Sequence, residues 1–320
     1  MASEFDLIRR YFTRPVKRAV LGVGDDCALW SPAAGMMQAI STDMLVEGRH
    51  FLAGTDAQKL GRKSLAVNLS DLAAMGADPR YALLAIALPS ADEKWVEAFA
   101  RGFFALADRH GVELIGGDTT RGPLNISITV IGEVSQAHAL RRDAAKAGDE
   151  VWLSGATGSA ALALAHQEGR TRLAGRDFEA CFARLDDPEP RIALGARLRG
   201  IARAAIDISD GLLADLGHIA ERSDVCIDLF ADRLPVADAL RNCPDAALRL
   251  ACIAAGGDDY ELAFTAPVDE HAAIDRIGVE LGLALTVIGG VISGEPDVIL
   301  RDAGGNRVKL DRSGFDHFGA

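Results

Sequence analysis

Aspartates in this chain of 320 residues recur at one kind of place, where an apolar stretch ends in small residues. Asp25 and Asp26 follow Gly24 in LGVGDDCALW, Asp43 follows Ser41 and Thr42, and Asp118 follows Gly116 and Gly117. In the second half Asp207 and Asp210 flank Ser209, and Asp258 and Asp259 follow Gly256 and Gly257. Asp71 differs, because it lies inside an Ala-rich helical stretch, NLSDLAAMGA. Neighbouring carboxylates raise each other's pKa and are costly to desolvate, so a cation is expected to face them. Glycine lets a ligand approach the backbone closely, and the short Asp side chain holds a carboxylate near that backbone. Ser and Thr add neutral oxygens, and such all-oxygen sets suit Mg2+. A single Gly-Asp or Ser-Asp pair is usually a turn or a helix N-cap, and SDGLLADL fits an N-cap with Asp210 near the start of a helix. The number of such pairs in one chain is what points to phosphate bridged by metal.

Other chemistries lack their residues. No G-x-x-x-x-G-K-[ST] occurs, nor G-x-S-x-G, H-E-x-x-H or a Cys/His cluster. GVGDDC has two glycines at dinucleotide spacing, but Cys27 takes the third position, and carboxylates there would repel a pyrophosphate unless a cation lay between. The net charge of −12 gives no basic face, so no nucleic-acid partner is expected. The five cysteines are scattered without a C-x-x-C, which fits reduced thiols rather than disulfides or zinc. The first residues, MASEFDLIRRYF, carry no apolar signal core, and no run reaches the roughly 18 apolar residues of a membrane span. A cytoplasmic protein without membrane contact is expected.

These carboxylates must be positioned by alternating elements. MQAISTDMLV (37–46), YALLAIALP (81–89), VELIGGDTT and NISITVIGEV read as strands. A helix capped by Thr55 or Asp56 is predicted to run to a stop at Gly76, and SADE (90–93) reads as a capping box opening a helix that ends at Gly111. That helix places Val96, Phe99, Phe103 and Leu106 on one face. The charged segment RRDAAKAGDE (141–150) is the linker candidate. Beyond it VWLSG, AAID, YELAFTAP and ALTVIGGVI read as strands, SAALALAHQ, LLADLGHIAERSD and VDEHAAIDRIGVELGL as helices, and DVILRDAGGNRVKL as a hairpin turning at Gly304-Gly305. The class is α+β, with two α/β-sandwich-like domains, 1–140 and 141–320, each built on a mixed sheet.

GVGDDCA, STDMLVEGRHF, NLSDLAAMGADP, IGGDTTRGP, AIDISDGLLADLGHI, GGDDYELAFT and the terminal GFDHF occur in this order. Together they resemble the thiamine-monophosphate kinase family, in the superfamily of aminoimidazole ribonucleotide synthetase and selenophosphate synthetase. The resemblance spans Glu4 to Phe318. It implies ATP-dependent phosphorylation of thiamine phosphate to thiamine diphosphate with several Mg2+ ions. It also implies a homodimer in which the N-terminal sheet forms the interface. By the same resemblance Asp26, Ser41, Thr42, Asp43, Asp71, Asp118, Asp207 and Asp210 match metal ligands. Gly117, Asp118, Arg142 and Ser209 match nucleotide contacts, and His50, Asp258 and Phe315 match substrate contacts. Asp258 stands where relatives often have Glu, and Phe315 where they often have Tyr. No general base is assigned, because a phosphate acceptor is already ionised near neutral pH. The rival readings are a sister enzyme acting on another small phosphorylated substrate, a metal-dependent phosphatase, and a non-catalytic maturation scaffold. A scaffold of that kind leans on a modifiable tail, and DRSGFDHFGA ends without a cysteine.

Overall fold

Strongly apolar runs broken by glycine, proline and aspartate give alternating strands and helices, which the computed structural model describes for residues 3–315. Two compact units result. One takes in the described residues up to Leu72 together with Ala77–Gln136, and the other takes in Ala73–Gly76 and the described residues from Ala137 onward.

In the first unit a short helix α1 (Glu4–Leu7) runs into a π-helical turn, followed by β1 (Met37–Val46), α2 (Ala57–Ala74), β2 (Asp78–Leu88), α3 (Glu93–His110), β3 (Glu113–Arg121) and β4 (Asn125–Val134). The sheet order is β1-β4-β2-β3, with β2 and β3 parallel and the other pairs antiparallel, so the sheet is mixed. Asp56 caps α2, accepting the Lys59 N–H at 2.9 Å. The cap of α3 is Asp92, which accepts from the Lys94 and Trp95 N–H groups, and not Ser90 as SADE suggested. The reason is spacing: the carboxylate two residues further on reaches the orphan donors of the first turn directly. Gly111 ends α3 in the left-handed conformation, as its sequence position suggested. Val96, Phe99, Phe103 and Leu106 are all buried, each contributing about 1.5–3 kcal/mol of apolar burial.

The second unit contains β5 (Glu150–Ser154), α4 (Ser159–Gln167), α5 (Gly175–Asp186), α6 (Ile192–Leu198), β6 (Ala204–Asp207), α7 (Leu212–Ser223), β7 (Cys226–Phe230), α8 (Asp238–Arg241), α9 (Ala246–Ala255), β8 (Leu262–Ala266), α10 (His271–Leu281), β9 (Leu285–Ile292) and β10 (Asp297–Arg301). Its six strands run in the order β10-β7-β9-β5-β8-β6, with only β10 and β7 parallel. Alternate residues of each strand enter different cores. Val151, Leu153 and Ile206 join one cluster with residues of α4 and α7, while Trp152, Ala205 and Phe264 join another with Leu194 of α6 and Ile274 of α10. A sheet covered on both faces explains why VWL is apolar throughout and LAFTA is buried throughout, Thr265 included, rather than alternating. The hairpin expected at 297–310 forms only in part. After the turn the returning arm makes one bridge, Arg301 with Arg307, and the Val308 N–H donates to the Leu300 carbonyl at 2.7 Å. The sheet partner of β10, an edge strand, is instead β7. Among the described residues no helix is long and apolar enough to cross a membrane.

Candidate active site

Period-two alternation on β1 divides the STD motif between the two faces of the first sheet. Ser41 and Asp43 share the side of the buried Leu45, toward α2, and Thr42 lies on the other side. The Ser41 hydroxyl donates to the Asp71 carboxylate on α2, and the Asp43 N–H donates to Asn68 Oδ1 at 2.9 Å, one helical turn before Asp71. Thr42 Oγ1 lies 2.7 Å from Thr129 Oγ1 on β4. Thus α2 and β1 bring Ser41 and Asp71 together and turn Thr42 away. The Val46–His50 turn folds back so that the Val46 N–H donates to His50 Nδ1 at 3.0 Å. That acceptor role assigns the imidazole proton to Nε2, the nitrogen a phosphate oxygen could receive.

Across the sheet, Asp43 pairs with Ile128, Ile128 with Leu84, and Leu84 with Gly117. At about 4.8 Å per strand, Asp43 and Gly117 stand roughly 14 Å apart along the sheet. Gly117 has φ 148°, and a Cβ there would lie 1.8 Å from the Leu84 carbonyl oxygen, so only glycine fits between the two strands. Asp118 follows in the next row, opposite Ala85.

The loop bearing the Asp doublet is held at both ends by glutamates that the sequence reading did not single out. Glu113 on β3 accepts the N–H groups of Lys17, Arg18 and Ala19 at 2.9–3.1 Å. Glu133 on β4 accepts from the Ala33 N–H at 2.9 Å, from Gln38 Nε2 at 3.3 Å and from Arg80 Nε at 3.0 Å. Burial opposes ionisation of Glu113, but the three backbone donors and the Arg18 charge outweigh it and the net shift is downward. Glu133 follows the same pattern, with burial outweighed by Ala33, Arg80 and Gln38. Asp25 Oδ1 accepts the Asp26 N–H at 2.9 Å, and both aspartates are exposed. Val23 of this loop lines a small cavity of about 40 Å³ with Gly116, Gly117, Asp118 and Thr119, so the loop adjoins strand β3.

In the second unit three sequence motifs meet around residues 208–211. The Asp258 N–H donates to the Ser209 carbonyl at 2.9 Å, the Tyr260 N–H to the Ile208 carbonyl at 2.8 Å, and the Phe315 N–H to the Asp210 carbonyl at 2.9 Å. Gly257 is demanded by this contact, since a Cβ would lie 2.3 Å from the Ser209 carbonyl oxygen. Asp207, Ser209, Asp210, Asp258 and Phe315 are therefore gathered in one junction. Asp207 is buried at the end of the edge strand β6, whereas Phe315 is half exposed. Of GFDHF, Asp316, His317 and Phe318 lie outside the described residues. Asp258 (φ 67°) and Tyr260 (φ 52°) both adopt the left-handed conformation, and the Tyr260 hydroxyl donates to Asp258 Oδ1 at 3.1 Å. The second Asp of that doublet goes elsewhere. Asp259 is wholly buried and accepts the Gly158 N–H at 2.7 Å, and burial pushes its carboxyl well above the usual range. Its neighbour Glu261 is also buried, paired with Arg184 and Arg191 and accepting from the Ser154 hydroxyl at 2.5 Å.

Asp215, unmarked in the sequence reading, is the centre of the 209–211 loop. Its Oδ2 accepts the N–H groups of Ser209, Asp210 and Gly211 at 3.0, 3.1 and 3.0 Å. Burial pushes its carboxyl up to about 7, with the nearby Asp210 charge adding to the rise and the three N–H groups opposing it. The only available signal was an Asp one turn into the helix after Ser-Asp-Gly. Arg142 is exposed, and its carbonyl accepts the Ser223 hydroxyl at 2.7 Å. Arg141 beside it is instead tied to Asp143. A groove of about 860 Å³ leads from Asp210 and Phe315 along α7 past His218 to Lys309 and Arg312.

Among the described residues no three Asp, Glu, His or Cys side chains stand close enough together to hold a metal ion. The donor chemistry nevertheless fits Mg2+. Asp71 and Ser41 are joined hard-oxygen donors with Asp43 on the same side of β1, and Mg2+ takes one or two carboxylates while water and substrate phosphates complete its shell.

Residues 24–134 match the family described as AIR synthase related protein, N-terminal domain. The thiamine-monophosphate kinase of Escherichia coli strain K12 is 45% identical over 99% of this chain and 98% of its own length. The crystal structure of thiamine-monophosphate kinase from Stenotrophomonas maltophilia K279a superposes with a TM-score of 0.85 at 46% identity, covering 94% of this chain and 95% of that one. AaThiL complexed with AMPPCP and TMP gives a TM-score of 0.77 at 30% identity, covering 90% and 89%. Full-length identity at this level, on the same two-sheet fold, makes the chain a member of the thiamine-monophosphate kinase family within the AIR-synthase-related superfamily.

Proposed function

We propose that the protein transfers the γ-phosphoryl group of ATP to thiamine phosphate, giving thiamine diphosphate and ADP. The observation that carries this reading is the end-to-end likeness to AaThiL, complexed with AMPPCP and TMP, and to curated thiamine-monophosphate kinases. Two anionic molecules must be brought together, and little covalent chemistry is asked of the protein. Mg2+ held by these oxygens would neutralise charge on the transferring group. In this reading Asp26, Ser41, Thr42, Asp43, Asp71 and Asp118 supply metal oxygens from residues 1–140, and Asp207 and Asp210 supply them from residues 141–320. Gly117, Asp118, Ser209 and Arg142 hold the nucleotide, Arg142 through a bidentate guanidinium fork. His50 donates from Nε2 to the acceptor phosphate, Asp258 is aimed by the Tyr260 hydroxyl toward the substrate, and Phe315 offers a ring face to the cationic thiazolium. An acceptor phosphate with a second pKa of about 6 is already ionised, so attack on the γ-phosphorus needs no protein base.

The homodimer belongs to the same proposal. Ile40 and Met44 are 64% and 53% exposed on β1, an edge strand, and Thr42 shares their face. An open edge with an apolar face is a surface that a second copy can cover. A cytoplasmic location is proposed on the five free cysteines, which suit a reducing compartment. Incubated with ATP and Mg2+, the purified protein is expected to convert thiamine phosphate, and not free thiamine, to thiamine diphosphate. Product from free thiamine would replace this reading with a pyrophosphokinase, and phosphate release without ATP would replace it with a phosphatase.

A further inference from the structure

The backbone of residues 208–211 can be accounted for group by group. Ile208 donates its N–H to the Glu261 carbonyl and accepts from the Tyr260 N–H, both at 2.8 Å. The Ser209 and Asp210 carbonyls accept from Asp258 and Phe315, and the Gly211 carbonyl accepts the Asp215 N–H at 2.9 Å. That leaves the three N–H groups of Ser209, Asp210 and Gly211, and all three end on one buried oxygen, Asp215 Oδ2. Helix α7 begins only at Leu212, so these donors precede the helix and no helical carbonyl can satisfy them. Without the carboxylate these part-buried and buried donors would lack their acceptor, and the loop would rearrange to reach water.

We infer that Asp215 is a positioning residue for the nucleotide and metal end of the site: its carboxylate holds the turn from which Ser209 and Asp210 project. The inference rests on the proposed roles of those two residues. Asp215 itself is buried at 3% exposure, and its Oδ2 faces the backbone N–H groups of the loop. The Phe315 and Asp258 contacts use carbonyls on the loop rather than its N–H groups, so they do not depend on Asp215 directly. Losing the carboxylate should therefore weaken Mg2+ and ATP binding much more than thiamine phosphate binding.

The test uses Asp215→Asn and Asp215→Ser in the full chain, compared with wild type. Hydrogen exchange of the 209–211 amides, measured without metal, is expected to become at least about tenfold faster in Asp215→Ser, and less so in Asp215→Asn, whose amide oxygen can still accept. The Mg2+ concentration for half-maximal rate, and the dissociation constant of Mg2+·ATP by calorimetry, are expected to rise about tenfold in Asp215→Ser, the size expected for one or two lost hydrogen bonds. The KM for thiamine phosphate is expected to change less than about threefold, which is about 0.65 kcal/mol. Unchanged exchange, or a lower melting temperature with unchanged Mg2+ and ATP dependence, would overturn the inference. So would loss of the fold in both variants, which would make Asp215 a structural anchor only. Failure of the kinase reading looks different: wild type would form no thiamine diphosphate, while the exchange and calorimetric comparisons would still report on the clasp.

Discussion

Ser41 on β1 donates its hydroxyl to the Asp71 carboxylate on α2, joining a strand and a buried helix across 30 residues of chain. This pair places a hard-oxygen cluster where Asp43 shares the face of the strand. Asp71→Ala is expected to lower kcat by about 10²–10³, the scale seen when one preorganised electrostatic group is lost. Ser41→Ala keeps the carboxylate and is expected to cost about tenfold or less. Circular dichroism should show both variants folded. Near-normal turnover of Asp71→Ala at saturating Mg2+ would remove Asp71 from the ligand set.

Gly117 sits where a methyl group would collide with the Leu84 carbonyl oxygen. Gly117→Ala must therefore push β3 away from β2 or strain the backbone, and stability should drop by about 2 kcal/mol or more. Denaturant unfolding measures it. Because Asp118 follows directly, turnover in the folded fraction should fall as well. Gly116→Ala, one residue earlier, brings its new methyl group against the Leu83 side chain alone, at 3.0 Å, and should be far milder.

Glu113 and Glu133 have depressed pKa values in the fold. A carboxyl whose folded pKa lies below its unfolded value, about 4.3 for Glu, contributes stability that is present above that unfolded value and lost as pH falls through the folded one. Stability measured from pH 6 down to pH 3 should therefore decline on the acid side. In Glu113→Gln the slope should flatten, with the 17–33 segment more open to proteolysis at pH 7. A slope identical to wild type would show that the Lys17, Arg18 and Ala19 contacts do not influence acid stability.

Cys27 is exposed, whereas Cys181, Cys226, Cys243 and Cys252 are buried. Burial pushes the Cys181 thiol up to about 11 and the Cys252 thiol up to about 12. The thiolate is the reactive form, so at pH 8 one cysteine, Cys27, should react quickly with a thiol reagent and the rest only on unfolding. Cys27→Ser should abolish the fast phase. A fast phase of two or more thiols would contradict the packing of the second core.

Strands and helices with a clear period were legible from the residues alone. The 37–46 strand and the 159–167 helix lie where their patterns place them, because local apolar spacing determines which face is buried. What escaped the sequence reading was contact across the chain. Helices α5 and α6 carry mixed composition, and they pack against other helices, α5 on α4 and α8 and α6 on α10. Asp215, Glu113 and Glu133 act on backbone N–H groups, and no residue type or spacing announces which distant donor a carboxylate will meet. Asp258 and Asp259 look equivalent in sequence, yet one lies beside the Tyr260 hydroxyl and the other is buried against Gly158.

The central claim is that the γ-phosphoryl group of ATP passes directly to an existing phosphate. The most direct measurement is to incubate the protein with Mg2+, thiamine phosphate and ATP labelled in the γ-phosphorus, and to locate the label. One labelled terminal phosphate in thiamine diphosphate is expected for each ADP formed. Label held on the protein before acceptor is added, or AMP appearing in place of ADP, would contradict it.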